Sequence, residues 1–376
     1  MKKDSYLKAN FYLLLFICII ASGVILKLAA KIIVPVMFAI LLSLVMLPVL
    51  QKLKKSLHIP WIVSAIAILG ISLSLIFTIG NMLVSSLSTI VTLYPRYENR
   101  LMAIYQIFAK AFKLPFNETN SLFENLWNQL GVRGAVQSAL IAITSGTINT
   151  GKTLFTIMLL ILFLVSEMNS FQDKLSYAFS TQKVKGRVSK ALNNIIQEVT
   201  QFISIKFIIS LATGIIIGTG TFLTGLEFPV VWGFLAFILN FIPTFGSIIS
   251  SLFTIVFSII QFYPDISSIV IVTLIIAITQ FTLGNILEPR ITGSNLGLSP
   301  FMILVSLSIW GGIWGFSGFL LAVPTTVIVK IICENVSFLH PIAIFLGNVP
   351  GETKKQLSPV DESDTTEETE GSDTTI

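Results

Sequence analysis

Long apolar runs, separated by short polar or basic stretches, organise this chain. They cover residues 11–26, 28–50, 61–84, 136–165, 202–225, 228–260, 266–287 and 300–333. A hydrocarbon core of ~30 Å takes about 20 apolar residues in helix to cross. The pattern predicts an all-α integral membrane protein with about eight hydrophobic segments. The first two runs follow each other almost without a break and read as a helical hairpin. Lys2, Lys3 and Lys8 ahead of the first run offer a second reading, a cleaved signal peptide.

The polar stretches divide the chain further. Residues 1–84 hold three spans, 85–135 an arm outside the membrane, 136–165 a fourth span and 166–201 a basic linker. Residues 202–340 form a C-terminal core, and 341–376 an acidic tail. Within the arm, Leu101, Ile104, Tyr105, Phe108 and Phe112 fall at helical spacing, with Arg100, Lys110 and Lys113 on other faces. A second amphipathic helix begins at Ser121, with Glu124 completing a capping box. Such an arm packs on its own protein or on a sister subunit. In the fifth span, Gly214 and Gly218 form a GxxxG pair that allows close helix contact.

The runs 228–260 and 300–333 are too long for one comfortable pass, because 33 residues of helix extend ~50 Å. Each is interrupted: the first by Asn240, Pro243 and Gly246, the second by Gly311, Gly312 and Gly315. Proline removes a backbone donor and glycine weakens a helix, so both are break points. The stretches open alike, with Gly225-Leu226-Glu227-Phe228-Pro229 and Gly297-Leu298-Ser299-Pro300. One reading is a repeat of span plus re-entrant hairpin, inverted in the membrane as in many secondary transporters. The other is two long, kinked helices.

Composition agrees with the hydropathy pattern. Hydrophobic residues are 54% of the 376, charged residues 11%, and mean hydropathy is +0.87, whereas soluble domains carry roughly 25% charge. Too few polar side chains remain to cover a water-facing surface, which excludes an ordinary soluble enzyme or nucleic-acid-binding module. The net charge of +5 combines a body and a tail of opposite sign. Residues 1–351 hold 22 Lys and Arg against 11 Asp and Glu, and residues 352–376 hold 2 against 8. The tail has almost nothing to bury and is expected to be disordered. Basic residues in the N-terminus, in 51–58 and in 166–201 assign those segments to the cytoplasm, with 85–135 outside and the C-terminus inside.

The chemical motifs are few. Gly146–Thr153 matches the P-loop pattern, but the run onward from Leu154 continues a membrane helix and no strand precedes it. A P-loop needs a strand–loop–helix context, so no nucleotide is expected. Cys18, Cys333, His58 and His340 are too scattered for a disulfide framework or metal site, and no cofactor is expected. The sequon at Asn117 carries no weight without a eukaryotic secretory host. Ionisable groups at bilayer depth cost roughly 3 kcal/mol on insertion scales and are functional candidates by default. Lys206, Glu288 and Arg290 lead, with Gln280 and Asn285 as polar companions. Lys27 and Lys31 can snorkel and are discounted. Glu288 and Arg290 flank Pro289 and either pair with each other or act on cargo. Asn240 beside Pro243 is the candidate for unwound backbone lining a cavity.

Glu288-Pro289-Arg290-Ile291-Thr292-Gly293, then Leu296-Gly297-Leu298-Ser299-Pro300, then Gly312, Gly315, Gly318 and Ala322-Val323-Pro324, resemble the autoinducer-2 exporter family. Pro229, Trp232, Gly233 and the Ile242-Pro243…Gly246 break fit as well. The resemblance implies a bacterial plasma-membrane permease, oligomeric, exporting a small molecule such as autoinducer-2. Other members of the same pattern imply sodium/proton antiport as the alternative. A membrane scaffold that uses arm and tail for partners is the non-transport reading. No catalytic cluster points to an enzyme. The expected path residues are Lys206, Asn240, Pro243, Gly246, Gln280, Glu288, Pro289 and Arg290, with Gly311, Gly312 and Gly315 at the second break.

Overall fold

The computed structural model describes residues 2–57, 60–111, 151–167, 174, 182–292, 298–336 and 339–347. Helices account for nearly all of them: α1 (Lys2–Leu28), α2 (Ala30–Leu57), α3 (Trp61–Ala111), α4 (helical over 151–167), α5 (Gln182–Leu223), α6 (Pro229–Leu239) and α7 (Phe245–Phe262). After these come α8 (Ile266–Thr279), a π-helical segment (Gln280–Leu287), α9 (Glu288–Thr292), α10 (Pro300–Trp314), α11 (Phe316–Asn335) and α12 (His340–Leu346). Among the described residues, 6 helices are long and apolar enough to cross a membrane. The protein is a multi-pass, all-α membrane protein.

The first two apolar runs do not form the expected hairpin. Only Ala29 separates α1 from α2, and its backbone bonds to Ile25 and Ile33 carry the chain onward. Reversal of a helix takes a loop of at least two residues, usually with a breaker, and Leu28-Ala29-Ala30 supplies none. The helices therefore meet end to end at a kink, where the Leu26 carbonyl accepts a hydrogen bond from the Trp314 indole at 3.0 Å.

The third run also continues past its expected end. α3 is one helix of 51 residues, ~75 Å long, so the first part of the arm is the same helix extended beyond the membrane. The residues of the second amphipathic helix (from Ser121), of 136–150 and of the tail after 347 lie outside the described residues. So do most of 168–181, whereas 182–201 form the first turns of α5.

Both long C-terminal runs fold as hairpins and not as kinked single helices. Hairpin 1 is α6, a turn at 240–244, and α7. Its entrance and exit lie together, because the Gln261 side chain donates to Gly225 O (2.8 Å) and accepts from Glu227 N–H (2.7 Å). Hairpin 2 is α10, a turn at Gly315, and α11. Its entrance is tied to the end of the chain, where Ser299 N–H donates to Leu346 O at 3.2 Å. α8, the π-helical segment and α9 lead away from the mouth of hairpin 1, and the two hairpins touch where Leu239 and Ile242 meet Leu307 and Ala322. α6 and α10, with 11 and 15 residues, reach only ~17 and ~23 Å, short of a ~30 Å core.

Small residues set the tight spots. A Cβ on Gly246 would lie 1.7 Å from Leu239 O, and one on Gly318 would lie 1.8 Å from Trp310 O. Each hairpin thus brings a glycine onto the last carbonyls of its first arm. The GxxxG face of α5 receives α6, as expected: Cβ atoms on Gly214 or Gly233 would each meet the other's carbonyl at 2.7 Å.

Candidate functional site

The site begins on α5, where three polar residues interrupt an apolar sequence at helical spacing. Lys206, Ser210 and Thr213 are all buried, at 4%, 0% and 1% exposure. Residues four and three apart share one face of a helix, so these line a single inward stripe. Thr213 satisfies its hydroxyl within the helix, donating to Ile209 O at 2.8 Å. Ser210 and Lys206 reach other elements.

Ser210 Oγ accepts a hydrogen bond from Asn240 Nδ2 at 3.1 Å. Asn240 ends α6, is itself buried, and leads into the turn of hairpin 1. In that turn Ile242 N–H donates to Leu239 O (2.8 Å), Phe245 N–H to Pro243 O (2.7 Å) and Gly246 N–H to Ile242 O (3.1 Å). Thr244 adopts φ 64, a left-handed backbone that disfavours β-branched residues. Pro243 is half-buried and Gly246 fully buried. One side of the tip is therefore packed inside the protein, with Leu239 and Ile242 against Leu307 and Ala322 of hairpin 2, while Thr244 and Phe245 are exposed.

One turn further along α5, Lys206 Nζ makes an ion pair with Glu288 Oε1 at 2.5 Å. This corrects the expected pairing within Glu288-Pro289-Arg290. Pro289 and Arg290 are exposed, and Arg290 has no ion pair among the described residues. The reason lies in the preceding segment. Over Gln280–Leu287 the helix is π-wound, and Glu288 N–H donates to Leu283 O, five residues back. The wider turn rotates the carboxylate relative to an α-helix and presents it to α5. π-bulges recur at functional sites. Gln280 opens the segment, and its Nε2 is buried without a hydrogen-bond partner among the described residues, while Asn285 is exposed.

A cavity of about 240 Å³ adjoins the pair. Phe38 and Leu41 of α2, Phe202 and Phe207 of α5, Phe237 and Phe241 at the tip of hairpin 1, and Leu320 and Pro324 of α11 line it. Among the described residues, Lys206 is the one ionisable group in its wall. A second cavity of about 200 Å³ between α3 and α4 has an almost wholly apolar lining and no ionisable group.

The expected residues at the second break divide. Gly311 is buried, and a Cβ there would meet the Phe319 ring at 2.4 Å. Gly315 turns the chain with φ 61. Gly312 faces open space and plays no packing role. Among the described residues no group of three His, Cys, Asp or Glu is placed to hold a metal.

A polar cluster at the mouth of hairpin 1 went unread in the sequence. The extension of α3 brings Arg96 to Glu227 (3.4 Å), the Tyr97 hydroxyl to the same carboxylate, and the Arg100 guanidinium to Gln261 O. The Trp232 indole donates to Glu227 O at 2.9 Å, and Tyr97, Phe228 and Trp232 surround Phe257 with centroids 4.9 to 5.9 Å away. Burial, then the neighbouring Arg96 charge, lowers the pKa of the Arg100 guanidinium. Only the continuity of α3 could have joined residues 130 positions apart.

With this geometry in place, relatives extend it. The profile of the family described as AI-2E family transporter matches residues 11–338. A protein of Borreliella burgdorferi, provisionally named a transport protein, is 35% identical over 70% of both chains. Escherichia coli K12 has two relatives. One, provisionally named the transport protein YhhT, is 25% identical over 88% of this chain and 91% of its own. The other, named AI-2 transport protein TqsA, is 27% identical over 89% of this chain and 94% of its own.

Proposed function

This chain belongs to the AI-2E transporter family, and from that premise we propose that it exports a small organic solute by alternating access. The observation that carries the reading is the Lys206–Glu288 pair, its lysine buried, beside a cavity lined by α2, α5 and the two hairpins. Unwound backbone at membrane depth is tolerated where it is packed in protein or lines a cavity, and residues Asn240–Pro243 of the turn, buried, half-buried or lining the cavity, fit that condition. Broken helices are the arrangement by which many secondary transporters hold cargo near mid-membrane. At about 240 Å³ the cavity lies below the ~300–1,000 Å³ of drug-sized sites, so the cargo is small. AI-2, named for one relative, is within that class.

The plasma membrane of a bacterium is the expected location. The start of α3 and the end of α4 lie together, joined by the Trp61 indole to Val165 O at 2.8 Å. Their basic flanks support a cytoplasmic side for that end. With no reversal between α1 and α2, the counting argument that set the N-terminus on the cytoplasmic side falls away.

The test is efflux from proteoliposomes loaded with AI-2 and with a panel of labelled small solutes, with and without imposed pH and sodium gradients. Efflux of an organic solute, lost in Asn240→Ala, is expected. Sodium or proton exchange with no organic flux would replace this reading by the antiporter, which the relatives' names do not favour. No flux of any kind would leave the scaffold.

A further inference from the structure

The transport reading leaves the chemistry of the cargo open, and the surroundings of Lys206 narrow it. Its ammonium carries three N–H donors. Among the described residues it has one hydrogen-bond partner, Glu288. A lysine that is 4% exposed has little water to satisfy the other two, and an under-satisfied buried charge is costly. The same residue lines a cavity whose remaining walls are aromatic and aliphatic. Its counter-ion approaches from α9, while the cavity lies among α2, α5, α6 and α11. Glu288 does not line the cavity, and its side chain is 23% exposed. It is therefore less enclosed by protein than Lys206 and freer to swing away from the pair.

We propose that the cavity is a binding site for a small organic monoanion, whose carboxylate or equivalent oxyanion takes the Lys206 ammonium while its apolar body rests against Phe202, Phe207, Phe237 and Phe241. This rests on the reading of the cavity as the cargo site. Glu288 is then an internal stand-in for the cargo's charge. It neutralises Lys206 when the site is empty and is released when an anion arrives. The exchange keeps one negative charge on the ammonium throughout, so the buried cation is never stranded. A neutral solute of the same shape cannot release Glu288, because it would leave the carboxylate without its partner and offers no charge in return.

The test is equilibrium binding of radiolabelled benzoate to the purified full-length protein in nanodiscs, with benzamide as the neutral isostere. Saturable benzoate binding that benzamide does not displace is expected. Lys206→Gln should weaken it at least tenfold, and Lys206→Arg should retain it. Glu288→Gln should strengthen it severalfold, because the internal competitor has lost its charge. Benzoate should also raise the melting temperature of Glu288→Gln more than that of the wild type, a readout that survives a low yield of the variant. The proposal fails if benzamide competes as well as benzoate, if Lys206→Gln binds normally, if Glu288→Gln binds benzoate more weakly, or if neither wild type nor Glu288→Gln binds it. Benzoate binding without flux of any solute would sink the transport reading and leave the anion site. Flux of neutral solutes without benzoate binding would do the reverse.

Discussion

Removing one member of the Lys206–Glu288 pair should cost very different amounts depending on which member goes. Glu288→Gln strands an ammonium whose side chain is 5% exposed, whereas Lys206→Met strands a carboxylate at 23% exposure. Breaking a buried pair by deleting one partner costs about 3–5 kcal/mol, because an uncompensated charge remains buried. Glu288→Gln should fall in that range. In Lys206→Met the Glu288 carboxylate is less enclosed by protein and freer to turn, and the cost should drop to about 1–3 kcal/mol, that of one unsatisfied polar group. The double variant leaves no charge behind, and replacing a buried pair by neutral groups is often neutral or stabilising. It should recover most of the loss seen in Glu288→Gln. Folded domains hold only about 5–15 kcal/mol in reserve, so these differences should be plain in monodisperse yield and in melting temperature of the detergent-purified protein. The charge swap Lys206→Glu with Glu288→Lys should rescue only partly, since it buries the carboxylate and exposes the ammonium. Lys206→Met as damaging as Glu288→Gln, or a double variant no better than Glu288→Gln, would refute the reasoning from burial.

Other outcomes follow from the same geometry. Gly246→Ala and Gly318→Ala each drive a Cβ into a backbone carbonyl at 1.7 and 1.8 Å, so each should exceed the ~1–3 kcal/mol of ordinary overpacking and abolish folded yield, while Gly312→Ala, with open space around it, should behave as wild type. Tyr97→Phe keeps the ring on Phe257 and removes only the hydroxyl bond to Glu227; a hydrogen bond to a charged group contributes ~1.5–3 kcal/mol, which a lowered melting temperature should register. In a background lacking Cys18 and Cys333, an impermeant maleimide added to whole cells should label Asn117→Cys and not Gln182→Cys; the reverse pattern would overturn the sidedness.

Hydropathy made the segments and their breaks legible, and it could not make the chain's direction legible. Pro243 and Gly315 stand where the hairpins turn, and the glycines at 214 and 218 receive α6, because a missing donor, a missing Cβ or a positive φ is a local property. The end-to-end meeting of α1 and α2 was misread because two apolar runs look the same whether the chain reverses or continues. Lipid is as apolar as a leucine side chain, so an apolar stripe marks neither a protein-facing nor a lipid-facing side. The Lys206–Glu288 pair spans 82 positions and depends on the π-wound segment before Glu288. Spacing rules built on 3.6 residues per turn fail across such a segment, and adjacency across Pro289 suggested Arg290 instead. For Tyr97 and Glu227 the obstacle was different. The spacing in the arm predicted a helix correctly, but nothing local tells that the helix is the continuation of a span and not a separate element.

The distribution of bond types through the core also says where motion is cheapest. Hairpin 1 is held by directional contacts: to α3 through Tyr97, Arg96 and Arg100, and to α5 through Asn240–Ser210 and the interlocked glycines. Lys206–Glu288 adds α8 and α9 to the same body. Hairpin 2 is tied elsewhere, through Trp314 to the α1–α2 kink. Between the hairpins the contact is Leu239 and Ile242 against Leu307 and Ala322, and among the described residues no hydrogen bond or ion pair crosses it. Hydrogen bonds and ion pairs fix register, because displacement of an ångström or two breaks them. Apolar contact is non-directional and depends on area buried, so the same surfaces can slide while staying dry. The cavity has walls from α5 and α6 on one side and from α2 and α11 on the other, so it lies on this seam. A seam that slides without breaking a polar bond, with a cavity opened or closed by the sliding, is what alternating access requires. It also predicts that a disulfide placed across the seam, at Ile242→Cys with Leu307→Cys, should stop flux when oxidised and restore it when reduced, whereas one within hairpin 1, joining α6 to α7, should leave flux intact. Equal inhibition by both would place the moving boundary elsewhere.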